Sequence, residues 1–351
     1  MTAMTVLGAL ARMDVVSSDL PKLRDIEIND AVDAMLLASL IRHRLIGLAA
    51  RAIETGELNV SNETAEAIVD RHDMDMAATL RIEVMMLRVA ELLETEGIRM
   101  RVLKGSALAH TVATTPSDRS FRDVDLLIRS SEIDQTVAVL EAAGASRLQP
   151  ELRPGFDRRF AKSVTMRLDD VEIDVHRTLA PGPFGLTMFP DDLFLLAGTF
   201  DVAGRTLPTL DRTDHLLHAC YHAALGSQTP AMTNLRDIAL LAAGDVDLDR
   251  INDSIERWDG QAVMGRAVEL VRESLGDVLP PALCLYTLTA EDRSSLAPYL
   301  RDGDRFPALA AASLRALPAS SRAAYALAVG LPIGTNPVDR VKVLSRRYKN
   351  L

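Results

Sequence analysis

Arg122-Asp123-Val124-Asp125-Leu126-Leu127-Ile128 is the stretch on which the fold turns. It opens polar, runs into apolar residues and reads as a strand over Asp123 to Ile128. Alternation along a strand puts Asp123 and Asp125 on one face and Val124 on the other. Upstream stands Leu103-Lys104-Gly105-Ser106, and downstream Val171-Glu172-Ile173-Asp174-Val175-His176. A Gly-Ser at a helix start, a D-x-D on one strand and a third Asp on a later strand can build one site. Such a site is suited to divalent metal and a nucleoside triphosphate. Mg²⁺ favours oxygen ligands and usually shares them with substrate phosphates. An isolated D-x-D is ordinarily a solvated strand face; the flanking segments argue against that here.

Working outward, Arg99 to Leu103 alternates as a strand, and Gly105 to Val112 reads as a helix. Thr114-Thr115-Pro116-Ser117-Asp118 is a loop. A helix follows from Ser130 and Ser131 to about Ala143 and closes at Gly144. Val164 to Leu168 and Val171 to Thr178 form a predicted hairpin turning through Asp169-Asp170. The order β-α-β-α-β-β predicts a small mixed sheet with helices on one side. The fold class is α+β, with the sheet core flanked by helical N-terminal and C-terminal regions. The expected division is residues 1–97 helical, 98–180 core and 181–351 helical.

The flanks carry helical periodicity. One helix is predicted over residues 30–54, with Met35, Leu36, Leu40 and Leu45 inward. A second runs from about 64 to 96 behind the capping residues Ser61 to Thr64 and ends at Gly97. Its inward stripe is read as Ile68, Met76, Leu80, Val84, Leu87, Ala90 and Leu93.

Three matches, in this order, carry a family resemblance. They are Leu103 to Leu108, Arg119 to Ile128, and Ile173 to His176, with Leu235 to Leu241 as a further match. The chain resembles the nucleotidyltransferase superfamily that includes DNA polymerase β, and within it the bacterial nucleotidyltransferase family 5, over roughly residues 60 to 260. The resemblance implies Mg²⁺-dependent transfer of a nucleoside monophosphate from a triphosphate, with ATP the favoured donor. It implies Asp123, Asp125 and Asp174 as catalytic and metal-binding residues, one or two ions being possible. The third carboxylate, Asp174, would help deprotonate the attacking hydroxyl. Lys104, Gly105, Ser106, Arg119 and His176 are the expected nucleotide contacts. Each has a plainer alternative: a solvated side chain for Lys104, a salt bridge to Asp118 or a motif carboxylate for Arg119, a structural bond to Asp174 for His176. The acceptor is a small molecule, peptide or protein. A degenerate nucleotide- or partner-binding protein and a toxin-like enzyme modifying RNA or protein remain the competing readings.

Bulk composition limits partners. The 351 residues carry a formal charge of −10, which argues against an extended nucleic-acid surface. The basic tail, Arg340 to Lys349, reads as a solvated helix end. Two distant cysteines, Cys220 and Cys284, make no disulfide framework and read as buried thiols in a cytoplasmic protein. The weakly polar stretch Ala323 to Ile333 is too short to span a bilayer. His215, His218 and His222 share a predicted helix face, and Arg236-Asp237 lies in an apolar helix; both sets are read first as packing groups and second as acceptor-cleft residues. No P-loop, serine-elbow or zinc-protease pattern is present.

Overall fold

The computed structural model describes residues 2–15 and 22–331. The basic tail beginning at Arg340 lies outside them. Four helices come first: α1 (Ala3–Ala11), α2 (Asp30–His43), α3 (Ile46–Glu54) and α4 (Asn62–Thr95). The middle of the chain gives β1 (Met100–Val102), α5 (Ser106–Thr111), β2 (Asp123–Ile128), α6 (Ile133–Ala142), β3 (Ser146–Arg147), α7 (Phe156–Phe160), β4 (Ser163–Leu168) and β5 (Val171–His176). Next come α8 (Gly182–Thr187), β6 (Gly198–Val202), β7 (Arg205–Thr209), α9 (Arg212–Gly226), α10 (Met232–Ala242), α11 (Leu248–Trp258) and α12 (Gln261–Leu275). Three helices close the described chain: α13 (Ala290–Leu296), α14 (Phe306–Ala316) and α15 (Ala319–Gly330).

Local chemistry explains the boundaries. The side chains of Asn29, Ser61 and Asp211 accept from the backbone N–H three residues on, capping α2, α4 and α9; such a cap is worth about 1 kcal/mol. The helix read over 30–54 is two helices, because Arg44 takes a left-handed conformation (φ 55) and turns the chain between α2 and α3. Asp169 and Asp170 both have positive φ, the backbone that a two-residue hairpin turn demands.

The seven strands among the described residues form one mixed sheet in the order β3-β4-β5-β2-β1-β7-β6. The β6–β7 hairpin extends the sheet beyond residue 180, since β7 pairs in parallel with β1 through Val102 and Thr209. At the centre, β2 and β5 run parallel, with Asp123 opposite Glu172, Asp125 opposite Asp174 and Leu127 opposite His176. The central strands are apolar apart from these groups, as a sheet buried on both faces requires.

One core packs the sheet against α4 and α6, through Ile82, Met86, Val89, Val124, Leu126, Leu140 and Ile173 among others. A larger one joins α1 to α3 with α9, α10 and α12. Part of the α4 stripe is therefore corrected. Ile68, Ala90 and Leu93 are buried, but Leu80 and Val84 face outward at 61% and 68% exposure. The sheet instead meets Ile82, Met85, Met86 and Val89, a face rotated from the one read. Met35 is likewise exposed, while Leu36 and Leu40 are buried. Cys220 is buried and Cys284 half-buried, and both are free thiols. Among the described residues no helix is long and apolar enough to cross a membrane.

Candidate active site

The parallel register of β2 and β5 sets Asp125 beside Asp174. Their carboxylates and the His176 imidazole each offer a ligand atom, and those atoms lie within 4.8 Å of one another. Asp123 lies two residues earlier on β2, a third exposed at its side chain. His176 is buried, and its Nε2 stands 2.8 Å from Asp125 Oδ1. Against an ionised carboxylate that nitrogen carries the proton and donates. His176 thereby orients Asp125, much as the outer partners of metal ligands do. Asp174 is oriented from the other side, where Thr165 Oγ1 donates to its Oδ1 at 2.5 Å.

Lys104 reaches into the same cluster. Its ammonium is 3.2 Å from Asp125 Oδ2 and 3.9 Å from Asp123 Oδ2. Burial disfavours ionised Asp125, but Lys104 and the His176 bond outweigh it and hold the carboxyl well below the ordinary range. Asp123 moves the other way, pushed up first by the Asp125 charge and then by burial. The donor set suits a divalent cation. Asp125 Oδ2 is buried and meets the Lys104 ammonium, and hard carboxylate oxygens are what Mg²⁺ and Mn²⁺ take.

A pocket of about 340 Å³ opens on this cluster. That is the small end of ligand-site volumes. Asp123, Asp174 and Lys104 line it together with Arg42, Arg44 and Lys162. Four cations thus surround two carboxylates, in a chain whose net charge is −10. Lys162, at the start of β4, makes no ion pair within 4 Å among the described residues; burial, then Lys104, pushes its ammonium down. Sequence reasoning missed Arg42, Arg44 and Lys162. Lys162 left one signal, a lysine at the head of the strand paired with the Asp174 strand. Arg42 and Arg44 left none.

The remaining expected contacts lie behind the pocket wall. Gly105 has φ 62 and ψ −116, a conformation that favours glycine, and a Cβ there would come 3.3 Å from the Phe121 ring. Ser106 Oγ is buried and donates to Glu83 Oε1 at 2.7 Å; the same oxygen meets His110 Nε2 at 2.8 Å. The Ser106 hydroxyl is therefore turned toward α4. Arg119 is buried and makes a bidentate pair with Asp237 on α10, while its Nη1 donates to the Gly105 carbonyl at 3.1 Å. Asp118, the partner weighed for Arg119, pairs with Arg51 instead. Arg236 is also spoken for, by the Ala11 and Met13 carbonyls and by Asp14.

Of the helix α9 histidines, His215 meets Thr209 Oγ1 at 2.8 Å, a packing role. His222 lines the pocket, and its ring centroid is 6.2 Å from that of His218. Burial drives His215 down to about 3 and both others well below their ordinary value. All three are neutral at physiological pH.

The family model described as an uncharacterised nucleotidyltransferase matches residues 31–276, and the chain belongs to that family. The match spans α2 to α12 and so includes both walls of the pocket. No curated protein matches the chain. Membership makes the protein a nucleotidyltransferase, for which a nucleoside triphosphate is the expected substrate.

Proposed function

We propose that the protein moves a nucleoside monophosphate from a triphosphate, with ATP the favoured donor, to a hydroxyl or phosphate of a small acceptor, in a Mg²⁺-dependent reaction. The observation that carries this reading is the register of Asp125 opposite Asp174 behind a pocket where Asp123 and Asp174 face four cationic side chains. Asp123, Asp125 and Asp174 would hold the cation, with His176 and Thr165 fixing two of them. A bound divalent ion supplies charge neutralisation at the reacting phosphate.

The chain's own residues supply the rest. Lys162, Arg44 and Arg42 take the triphosphate charge. Lys104 balances Asp125 and Asp123 before substrate arrives. As the acceptor oxygen bonds to the α-phosphorus, the α–β P–O bond breaks and pyrophosphate leaves with the bonding pair. A hydroxyl acceptor's proton passes to Asp174, whose Oδ1 is already held by Thr165, leaving the other oxygen to receive it; a phosphate acceptor attacks through an ionised oxygen and needs no such transfer. Positioning and fixed charge account for most of the rate enhancement in such chemistry. The small pocket favours a compact acceptor over a long nucleic acid. His222 and Asn234 line its α9–α10 side and are the acceptor contacts in this reading.

One observation favours a second reading. Lys104 already sits against two carboxylates, so a lysine could replace the cation in a protein that binds nucleotide without turnover. Mn²⁺ titration of the wild type and Lys104→Met separates the two. Tight Mn²⁺ binding by the wild type supports the transferase; binding that appears only in the variant supports the non-catalytic alternative. The transferase itself is tested by incubating the protein with α-labelled ATP, Mg²⁺ and pooled small hydroxyl and phosphate compounds. Pyrophosphate release together with a labelled acceptor supports it, and release that survives in Asp125→Asn contradicts it.

A further inference from the structure

Arg236 and Asp237 are neighbours on α10, and Asp118 and Arg119 are neighbours before β2. Their side chains join two more charges into a closed ring. Arg119 pairs with Asp237 at 2.9 Å and Arg51 with Asp118 at 2.9 Å. Asp14 meets Arg51 at 2.5 Å and Arg236 at 3.2 Å. Three arginines and three aspartates alternate, and the peptide links 118–119 and 236–237 complete the circuit. The ring spans the end of α1, α3, the turn before β2, and α10. Gly47 of α3 marks how tightly it is drawn, since a Cβ there would sit 2.1 Å from the Ser117 carbonyl.

The ring is not uniform. At the Asp14 side it is partly open, with that side chain 31% exposed. At the Arg119–Asp237 side both partners are buried. Here it touches the site, because Arg119 Nη1 donates to the Gly105 carbonyl. Gly105 follows Lys104, whose ammonium stands among the carboxylates, and a glycine free to take many conformations is fixed in this one by what bonds its carbonyl. A guanidinium can bond a carboxylate through two nitrogens and a carbonyl through a third; an ammonium is a point charge without that fork.

We infer that Asp237 is a positioning residue for the active site: through Arg119 it fixes the Gly105 turn and so the placement of Lys104. Asp237 touches neither the pocket nor, in the proposed reaction, the substrate. Removing its charge releases the Arg119 fork, and the Gly105 carbonyl then keeps only its bond from the Ala109 N–H of α5 among the described residues. Breaking the ring at Asp14 leaves Arg119, Asp237 and Gly105 joined. The effect on nucleotide rests on the transferase reading; the effect on the turn does not.

The test compares Asp237→Asn, Asp237→Glu and Arg119→Lys with Asp14→Asn as control, in the full chain. Two quantities are read well below each variant's melting temperature: amide hydrogen exchange over residues 103–108, and the affinity for ATP with Mg²⁺ by calorimetry. Asp237→Asn and Arg119→Lys are expected to speed exchange in that segment and to weaken ATP about 10- to 100-fold, the range for outer-shell partners. Asp237→Glu restores part of both. Asp14→Asn lowers the melting temperature and moves neither. The inference is overturned if Asp237→Asn and Arg119→Lys leave exchange unchanged, or if Asp14→Asn changes both quantities as much. Should Asp237→Asn fail to fold, Arg119→Lys, which keeps the charge, decides. Should the wild type bind no ATP, the transferase reading fails and the exchange comparison alone decides this one.

Discussion

Asp125 and Asp174 stand directly opposite each other in the parallel pairing of β2 and β5. Each carboxylate is held by a neighbour of its own, Asp125 by His176 and Asp174 by Thr165. Burying such charges is costly unless partners repay the lost hydration. Here His176 does so at Asp125 Oδ1 and Lys104 at Oδ2. The arrangement suits a group that must stay ionised to accept a cation.

His176 is the first consequence. Truncation to Ala leaves Asp125 free to rotate and removes its buried donor. Mn²⁺ affinity should fall about 10- to 100-fold, read by calorimetry or by the paramagnetic signal of the free ion. His176→Gln, which can still donate, should recover part of it. Equal affinity in all three proteins would remove His176 from the site.

Lys162 should show opposite signs in stability and binding. Its half-buried side chain faces the pocket with no ion pair within 4 Å among the described residues. Lys162→Met keeps the stem and drops the charge. Stability should rise by about 0.5–2 kcal/mol, the usual gain when a functional strain is relieved. Tripolyphosphate and ATP should bind about tenfold more weakly, a loss of about 1.4 kcal/mol. A melting temperature that falls with affinity intact would assign Lys162 to the fold instead.

Much of this was legible in the sequence. The D-x-D strand and the Asp174 strand stand where the pattern put them, because strand alternation and β-branched residues are local signals. The Asp169-Asp170 turn was legible for the same reason. The outward face of α4 was not: in a long helix with apolar residues on several sides, only the sheet decides which of Leu80 or Ile82 goes inward. The β6–β7 hairpin escaped notice although Ala203-Gly204 marks its turn. The cationic rim was the least visible part. Arg42 lines the pocket from the last turn of α2 and Arg44 from the φ 55 residue after it, and nothing about an arginine announces that. The partner of Arg119 lies 118 residues away, beyond the reach of any spacing argument.

Stability should depend on pH with opposite slopes from two groups. Burial, then the Asp211 charge, pushes Asp214 up to about 7. Between its unfolded value of 3.8 and about 7 the folded state holds a proton that the unfolded chain has lost. Stability from this group therefore falls as pH rises through that window. The histidines act in reverse. Folded His215, His218 and His222 stay neutral, while the unfolded chain protonates below 6.5, so their share falls as pH drops. Asp214→Asn should raise the melting temperature at pH 8, by on the order of 2–4 kcal/mol in stability, with the gain shrinking toward pH 4. Parallel pH curves for the two proteins would contradict this.

Gly105 tests the turn directly. Alanine there faces an unfavourable φ and a Cβ 3.3 Å from the Phe121 ring. Gly105→Ala should cost about 1–3 kcal/mol and weaken ATP, because Lys104 is displaced with the turn. Urea unfolding and calorimetry measure the two effects. A variant as stable as the wild type would show that the turn accepts a Cβ and does not require glycine.

In the proposed reaction the carboxylates of β2 hold a cation against a nucleoside triphosphate. The most direct measurement is thermal stabilisation by each of the four triphosphates, with and without Mg²⁺, for the wild type and the double variant Asp123→Asn/Asp125→Asn. A ligand that binds only the folded state raises the melting temperature by mass action. A Mg²⁺-dependent rise with ATP is expected in the wild type and none in the double variant. A rise that is equal in both proteins, or indifferent to Mg²⁺, would contradict it.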